Sequence, residues 1–169
     1  AKYELVEGSQ RGRVSVTATM ELNWHLYSVT QKPGGPQRSV IKLKDKAQAK
    51  LTGAFRPDVA PHIKNYEFFD VPVEEHDGAV VWTAPFEFAD GVDAVKAELG
   101  LVFNGQVCQD EGACIPISNK AIVATFSGYY EEEATVTEFA SDASHATLRG
   151  RVSASTVRPG DTITLTIPG

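Results

Sequence analysis

The stretch Val14-Ser15-Val16-Thr17-Ala18-Thr19-Met20 decides the fold, because apolar and polar side chains alternate along it. Alternation at every second residue is typical of a strand that buries one face. Residues 95–103 repeat the pattern, with apolar side chains at every odd position. Further strands are predicted at 24–30, 38–43, 79–88 and 121–126, with turn residues between them. Because no segment keeps a helical period over several turns, we predict an all-β fold, an immunoglobulin-like antiparallel β-sandwich.

The composition suits a folded domain and excludes several classes of partner. With 169 residues and 42% hydrophobic content, the chain can bury a sizeable core and does not need disulfides to fold. The formal net charge is -6 and the basic residues form no cluster, so we expect no binding to nucleic acid or to an anionic membrane surface. The apolar runs are far shorter than the roughly 20 residues of a membrane-spanning helix, which predicts a soluble chain.

The composition changes after Tyr130, where we place the end of the main domain, residues 1–130. An acidic run at 131–133 and a stretch rich in Ser, Ala and Asp follow, and together they predict a linker over 131–146. Residues 147–169 contain the turn Arg158-Pro159-Gly160-Asp161 and then apolar residues at 163, 165 and 167. This segment begins a further β-domain or supplies a terminal strand to the same sandwich, and the sequence leaves both alternatives open.

The densest chemistry lies between Phe103 and Pro116, where Cys108 and Cys114 flank a short, acidic, glycine-containing loop. A strand ends before this loop and another begins after it, so the cysteines lie in or beside a hairpin and can reach each other. A disulfide across so short a loop stabilises a fold by about 2.4 kcal/mol, against about 4.3 kcal/mol for a loop of roughly sixty residues. The pair is therefore badly placed as a structural bridge, whereas a short surface loop suits thiol-disulfide exchange.

Two alternatives to a redox pair remain open on the residues alone. The first is a structural disulfide. The second is a metal site, for which the two cysteines supply half of a zinc ligand set and His62 or His76 would have to supply the rest. We expect no metal and no cofactor.

Several of these residues together resemble a known family. The chain has Gly105-x-x-Cys108, then five residues, Cys114 and x-Pro116, preceded by Trp24-His25-Leu26-Tyr27-Ser28 and Pro33-Gly34-Gly35-Pro36. Over residues 14–127 this pattern resembles the N-terminal periplasmic domain of DsbD-type thiol:disulfide interchange proteins. The resemblance implies an immunoglobulin-like domain that receives electrons from the membrane and thioredoxin-like domains of its own protein and reduces periplasmic partners. It implies no organic cofactor.

The resemblance also assigns a role to each cysteine. Cys114 matches the cysteine that forms mixed disulfides with partner proteins, and Cys108 matches the one that resolves them. The family covers its cysteine pair with a mobile cap loop, and residues 65–70 fit that segment. Within this segment the resemblance implies Phe68 as the cap, with Tyr66 and Glu67 beside it.

Five residues around the cysteines complete the predicted site. His25 and Tyr27 match positions that lie near the cysteines in relatives, although two residues on one face of a strand are also often ordinary surface or core-edge groups. Asp110 and Glu111 lie between the cysteines, and their charge disfavours a thiolate, which predicts a pair slow toward indiscriminate oxidants. The alternative is that both are solvated loop residues. After the second cysteine this chain has Ile115-Pro116-Ile117, where relatives commonly carry an aromatic residue and two prolines, so the local loop geometry is expected to depart from theirs.

We therefore predict a thiol:disulfide oxidoreductase module that relays electrons through Cys108 and Cys114. Its expected partners are thioredoxin-like proteins or domains, bound by transient mixed disulfides, and a membrane electron-transfer domain in the full protein. The expected location is the periplasm or another extracytoplasmic space, as the soluble part of an inner-membrane protein, in a pathway such as cytochrome c biogenesis. The alternative from another class is a non-catalytic adhesion or ligand-binding β-sandwich in which the short disulfide only stiffens a loop. No nucleophile elbow or Ser/His/Asp grouping supports a hydrolase.

Overall fold

A computed structural model of the chain describes residues 1–46, 48–110 and 112–131. These residues form the strands β1 (Lys2–Leu5), β2 (Arg11–Thr19), β3 (Trp24–Tyr27), β4 (Val40–Leu43), β5 (Ala49–Leu51), β6 (Arg56–Pro57), β7 (His62–Lys64), β8 (Val73–Asp77), β9 (Ala79–Phe88), β10 (Leu99–Gln109) and β11 (Cys114–Tyr129). Within the described part of the chain no helix is long and apolar enough to cross a membrane. Glu111, the predicted linker after its first residue and the segment 147–169 lie outside the described residues, so the domain boundaries stay predictions.

The strands form two sheets that share β11. The first sheet has the order β5-β9-β2-β1-β11, with β6 also paired to β9, and the second has the order β11-β10-β3-β8-β7, with β4 also paired to β10. β11 crosses between the sheets, because it pairs with β10 up to Ala124 and with β1 from Thr125 onward. All of these pairs are antiparallel apart from β1 with β11. The predicted all-β, immunoglobulin-like sandwich is confirmed, with one parallel pair in addition.

The core lies between the two sheets and follows the alternation of the sequence. The inward-facing residues of β9, each at most 3% exposed, are Val80, Trp82, Ala84, Phe86 and Phe88. The Trp82 ring stacks on Phe103 of β10 with the ring centroids 6.0 Å apart, so this aromatic pair bridges the sheets. Alternate side chains of both sheets thereby leave water in one shared layer, and this burial stabilises the sandwich.

The predicted start of one strand is wrong. Residues 95–97 keep the apolar alternation but precede the strand, which begins at Leu99. Backbone hydrogen bonds to the Asp93 carbonyl hold these residues in a turn instead. The Tyr3 hydroxyl donates to two carbonyls of the same turn, at 2.7 and 2.6 Å, and ties it to the core. The apolar alternation predicts a strand here, but the backbone carbonyls of the turn accept hydrogen bonds from a buried tyrosine that is far away in sequence.

Three other strands also have different bounds from those predicted. β4 begins at Val40 and not at residue 38. β3 stops at Tyr27 and not at residue 30, because the backbone turns after it and the Gln31 amide donates to the Ser28 carbonyl. β11 extends over Cys114–Tyr129 and not only over 121–126. Its first half lies at the edge of the second sheet, where a strand needs no continuous apolar face.

The second sheet brings the cysteines together with residues distant in sequence. In its register, Cys108 of β10 lies opposite Cys114 of β11 on one side and opposite His25 of β3 on the other. β8 is the next strand, and its Glu75 lies opposite Tyr27. Side chains from four strands therefore meet near the end of β10.

Candidate functional site

Cys108 and Cys114 form a disulfide across the β10–β11 hairpin. Their Cα atoms are 4.1 Å apart. The Gln109 amide donates to the Ala113 carbonyl at 3.3 Å, so the neighbouring pair is the hydrogen-bonded one and the cysteines occupy the closer, non-hydrogen-bonded position. The register of the hairpin alone thus brings the sulfurs within bonding reach.

The two cysteines differ sharply in exposure. Cys108 is 2% exposed and points into the domain, whereas Cys114 is exposed. Thiol-disulfide exchange requires the attacking sulfur to reach one sulfur of the disulfide directly. A thiol on another protein can therefore approach Cys114 but not Cys108.

The buried sulfur of Cys108 accepts two hydrogen bonds. The Tyr27 hydroxyl donates to it at 3.2 Å, and the Gln106 side-chain amide donates at 3.3 Å. Donors of this kind stabilise negative charge on the atom that they face. When the disulfide opens by attack on Cys114, the departing Cys108 sulfur is thus already surrounded by donors. Sequence reasoning missed Gln106, although it lies two residues before Cys108 and so on the same face of the strand.

His25 extends this arrangement away from the sulfur. Its Nε2 lies 3.3 Å from the Tyr27 hydroxyl, and its Nδ1 lies 3.1 Å from a carboxylate oxygen of Asp110. The His25 and Tyr27 rings meet edge to face with centroids 5.3 Å apart. His25 is buried, whereas the Asp110 side chain is 52% exposed. The structure thus brings together Cys108 and three residues that the sequence analysis selected around it.

A buried carboxylate that sequence reasoning missed lies behind the site. Glu75 of β8 is 3% exposed, and its two oxygens are held by Lys64 Nζ at 2.7 Å and by the Tyr66 hydroxyl at 2.9 Å. The hydrogen bond to Glu75 raises the pKa of Lys64, and burial together with this carboxylate raises the pKa of Tyr66. Burial, followed by the charge of Glu75, also raises the pKa of Tyr27. The only local sign of this buried charge is its spacing two residues after the buried Val73.

The predicted cap segment, residues 65–70, lies beside the buried Cys108. A small buried cluster, called here the cysteine cluster, is formed by Tyr27, Val73 and Cys108. Tyr66 and Phe69 pack against this cluster. Phe68, the predicted cap, is 76% exposed and rests on Phe69 with ring centroids 4.7 Å apart. Glu67 is exposed. Phe68 is thus the outer ring of an aromatic layer whose inner rings contact the cluster.

The remaining predicted residues lie at the rim. Pro116 is exposed and opposite Gln106, on the edge of the sheet where a missing backbone donor is tolerated. Within the described residues no group of three or more His, Cys, Asp or Glu side chains could hold a metal ion. Of the histidines considered for such a site, His62 pairs with Asp77 at 3.2 Å and His76 is buried.

Comparisons with known proteins bear on this site. A family model described as thiol:disulfide interchange protein DsbD, N-terminal, matches residues 2–125. Comparisons with curated proteins and with solved structures returned no match. The matched range includes both cysteines, the cap segment and the His25–Tyr27 strand.

Proposed function

Because the chain belongs to the family of N-terminal domains of DsbD thiol:disulfide interchange proteins, we propose that it relays electrons through the Cys108–Cys114 pair. The observation that carries this proposal is the difference in exposure across the disulfide, with one sulfur open to a partner and the other enclosed by donors. A thiol:disulfide oxidoreductase module needs this division, since one cysteine meets partners and the other closes the ring.

The proposed reaction follows from this division. In the reduced domain the Cys114 thiolate attacks a disulfide of the partner, forms an S–S bond with one partner sulfur and expels the other as a thiolate. The Cys108 thiolate then attacks Cys114 Sγ, so that the Cys108–Cys114 bond forms and the second partner sulfur leaves with the electron pair. The partner gains two electrons and the domain is left oxidised. Reduction of the domain runs through the same steps in reverse.

The family supports further expectations about partners and place. We expect thioredoxin-like proteins or domains as partners, a membrane electron-transfer module in the same protein, and a periplasmic location. The partners then include proteins of cytochrome c biogenesis. No metal or organic cofactor takes part in the reaction written above, because two sulfur atoms on each side account for both electrons.

The midpoint potential of the pair tests the proposal. The domain is equilibrated with graded ratios of reduced and oxidised dithiothreitol or glutathione, quenched with an alkylating agent and resolved by mass. An exchange-active pair is expected between about -270 and -120 mV, the range of thioredoxin-like proteins. A midpoint below about -300 mV is typical of structural disulfides and would favour the adhesion or ligand-binding alternative.

Replacing Phe68 with Ala is expected to expose Cys114 further to bulky reagents. Ring contacts such as those of Phe68 with Phe69 and Tyr66 are worth about 1 kcal/mol, so their loss raises the open population of the cap segment about fivefold. The measurement is the rate at which a polymer-linked maleimide alkylates Cys114 in the Cys108→Ala form, where it is the only thiol.

Phe69→Ala removes the inner ring of the aromatic layer. Its alkylation rate in the same assay distinguishes the contribution of Phe69 from that of Phe68. Leu22→Ala is the matched control, since Leu22 is 89% exposed and lies outside the cap segment. Equal alkylation rates in Phe68→Ala, Phe69→Ala and the parent would remove the cap hypothesis.

A further inference from the structure

The proposed exchange cycle, on which this inference rests, requires a proton to leave and to return to the buried sulfur of Cys108. Burial disfavours a charged thiolate, so we expect the reduced Cys108 sulfur to carry a proton, which it must lose before it can attack Cys114. With 2% of its surface exposed, Cys108 has almost no contact with bulk water that could accept the proton. In the reverse direction the sulfur leaves as a buried thiolate and must regain a proton. The fold therefore needs an internal route between this sulfur and solvent.

A continuous chain of hydrogen-bonding groups leads out from Cys108. The successive distances are 3.2 Å from the sulfur to the Tyr27 hydroxyl, 3.3 Å from that oxygen to His25 Nε2, and 3.1 Å from His25 Nδ1 to Asp110. Tyr27 and His25 are both buried, and Asp110 is the first member whose side chain is largely in water. The chain thus begins at the enclosed sulfur and ends at the surface.

Each member of this chain can both receive and release a proton. A phenol oxygen donates and accepts, and an imidazole can take a proton at one nitrogen while it releases one from the other. In the disulfide form Tyr27 donates to the sulfur. The same contacts allow the opposite direction in a reduced form, in which the Cys108 thiol would donate to the Tyr27 oxygen, the Tyr27 hydroxyl to His25 Nε2, and His25 Nδ1–H to Asp110. Reversal of the donors along the chain is what proton transfer requires.

We infer that Tyr27, His25 and Asp110 form a relay that carries the proton of Cys108 to and from solvent during each exchange. Tyr27 contacts the reacting sulfur and is the catalytic member. His25 acts through Tyr27 and is a positioning residue. In the closing step the Cys108–Cys114 bond forms, the bond from Cys114 to the partner sulfur breaks, and the partner sulfur leaves with the electron pair. The proton of Cys108 leaves through Tyr27 and His25 to Asp110 and water.

The charges around His25 favour transfer of the proton to Asp110 over transfer to the neighbouring carboxylate of Glu75. Glu75 of β8 lies 3.8 Å from His25 Nε2, beyond hydrogen-bond distance, and its oxygens are already held by Lys64 and Tyr66. Asp77, opposite His25 in the register, pairs with His62 at the surface. Burial raises the pKa of Tyr27, so its phenol keeps a proton at neutral pH. Tyr27 is therefore able to pass a proton on and is not held as a phenolate.

The experiment separates the two sulfur steps with one molar equivalent of 5,5′-dithiobis(2-nitrobenzoate) added to the reduced domain in a stopped-flow instrument. Attack by Cys114 releases a first nitrothiobenzoate, and closure by Cys108 releases a second, so absorbance at the thiolate band reports both steps. The variants are His25→Gln, which keeps a polar side chain but cannot relay, and Tyr27→Phe. His62→Gln and Tyr129→Phe are the matched controls, since both side chains are exposed and neither belongs to the series of hydrogen bonds from Cys108 to Asp110.

In His25→Gln and Tyr27→Phe the second phase is expected to slow relative to the first by about a hundredfold or more at pH 7, the lower end of the range of general acid–base effects. The deficit should shrink as the pH rises from 6 to 9, because hydroxide can then remove the proton of Cys108 during transient openings of the site, without the relay. The two control variants should show both phases at the rates of the parent domain.

A deficit that is the same at every pH would assign His25 a structural role and overturn the relay, as would a second phase within twofold of the parent. Failure to release the second nitrothiobenzoate in the parent domain itself would instead overturn the proposed function, so the two failures are distinguishable.

Discussion

Replacing Cys108 with Ala is expected to convert a transient complex into one that persists. Without the second sulfur, the disulfide between Cys114 and a partner has no internal thiol to resolve it, and its lifetime becomes that of uncatalysed rearrangement, minutes to hours. The measurement is non-reducing electrophoresis and mass analysis after mixing the variant with oxidised glutathione or with an oxidised thioredoxin-like protein. The mixed disulfide should accumulate and disappear on addition of dithiothreitol.

The matched control is Cys114→Ala, which leaves only the buried thiol. Attack by Cys108 then requires the site to open and to break the hydrogen bonds from Tyr27 and Gln106, at about 1 kcal/mol each. Mixed-disulfide formation in Cys114→Ala should therefore be about thirtyfold slower than in Cys108→Ala. Similar rates in the two variants, or faster reaction through Cys108, would contradict the assignment of Cys114 as the sulfur that meets partners.

Replacing Trp82 with Ala is expected to cost about 3–5 kcal/mol of the free energy of unfolding, the usual range for removal of a large buried ring. Trp82 is 0% exposed and stacks on Phe103 of the opposite sheet, so its loss leaves a cavity where the sheets meet. Urea unfolding followed by circular dichroism measures the change.

Trp82→Phe is the informative companion variant. The Trp82 indole N–H is buried and has no hydrogen-bond partner among the described residues, so phenylalanine removes an unsatisfied donor while it keeps an aromatic ring in place. Its cost should stay below about 1.5 kcal/mol, as for other conservative core exchanges. A loss below about 1 kcal/mol for Trp82→Ala would show that the two sheets do not depend on this contact.

Much of the fold could be predicted from local pattern because the sheets bury alternate residues. β9 has the predicted bounds 79–88, and the family resemblance drawn from the cysteine motif and the Trp24–Ser28 stretch is confirmed by the matching family model. The failure at 95–97 has the opposite cause, since a turn held by Tyr3 from the other end of the domain overrides a good strand pattern. The periodicity of apolar residues along the chain cannot detect a hydrogen bond to a backbone carbonyl from a residue about ninety positions away.

The candidate site was predictable only where its residues lie within one motif or one strand. Asp110 lies two residues after Cys108, within the cysteine motif. His25 and Tyr27 are two residues apart on a strand, so alternation places them on one face. Glu75 and Lys64 come from strands that become neighbours only in the folded sheet. Apart from the spacing of Glu75 two residues after Val73, their types resemble those of ordinary solvated residues, and no local feature shows that the two are paired.

By itself the sequence determined an all-β chain with an inward and an outward face on each strand, and a cysteine pair close enough to bond within one hairpin. Those properties depend on spacing along the chain, which the backbone geometry of a strand converts directly into position. The tertiary structure decided which sulfur is open and which is enclosed, because burial depends on the strands that flank β10. It also decided that Tyr27, His25 and Asp110 meet in one chain from the buried Cys108 to solvent, since that contact exists only once β3 pairs with β10.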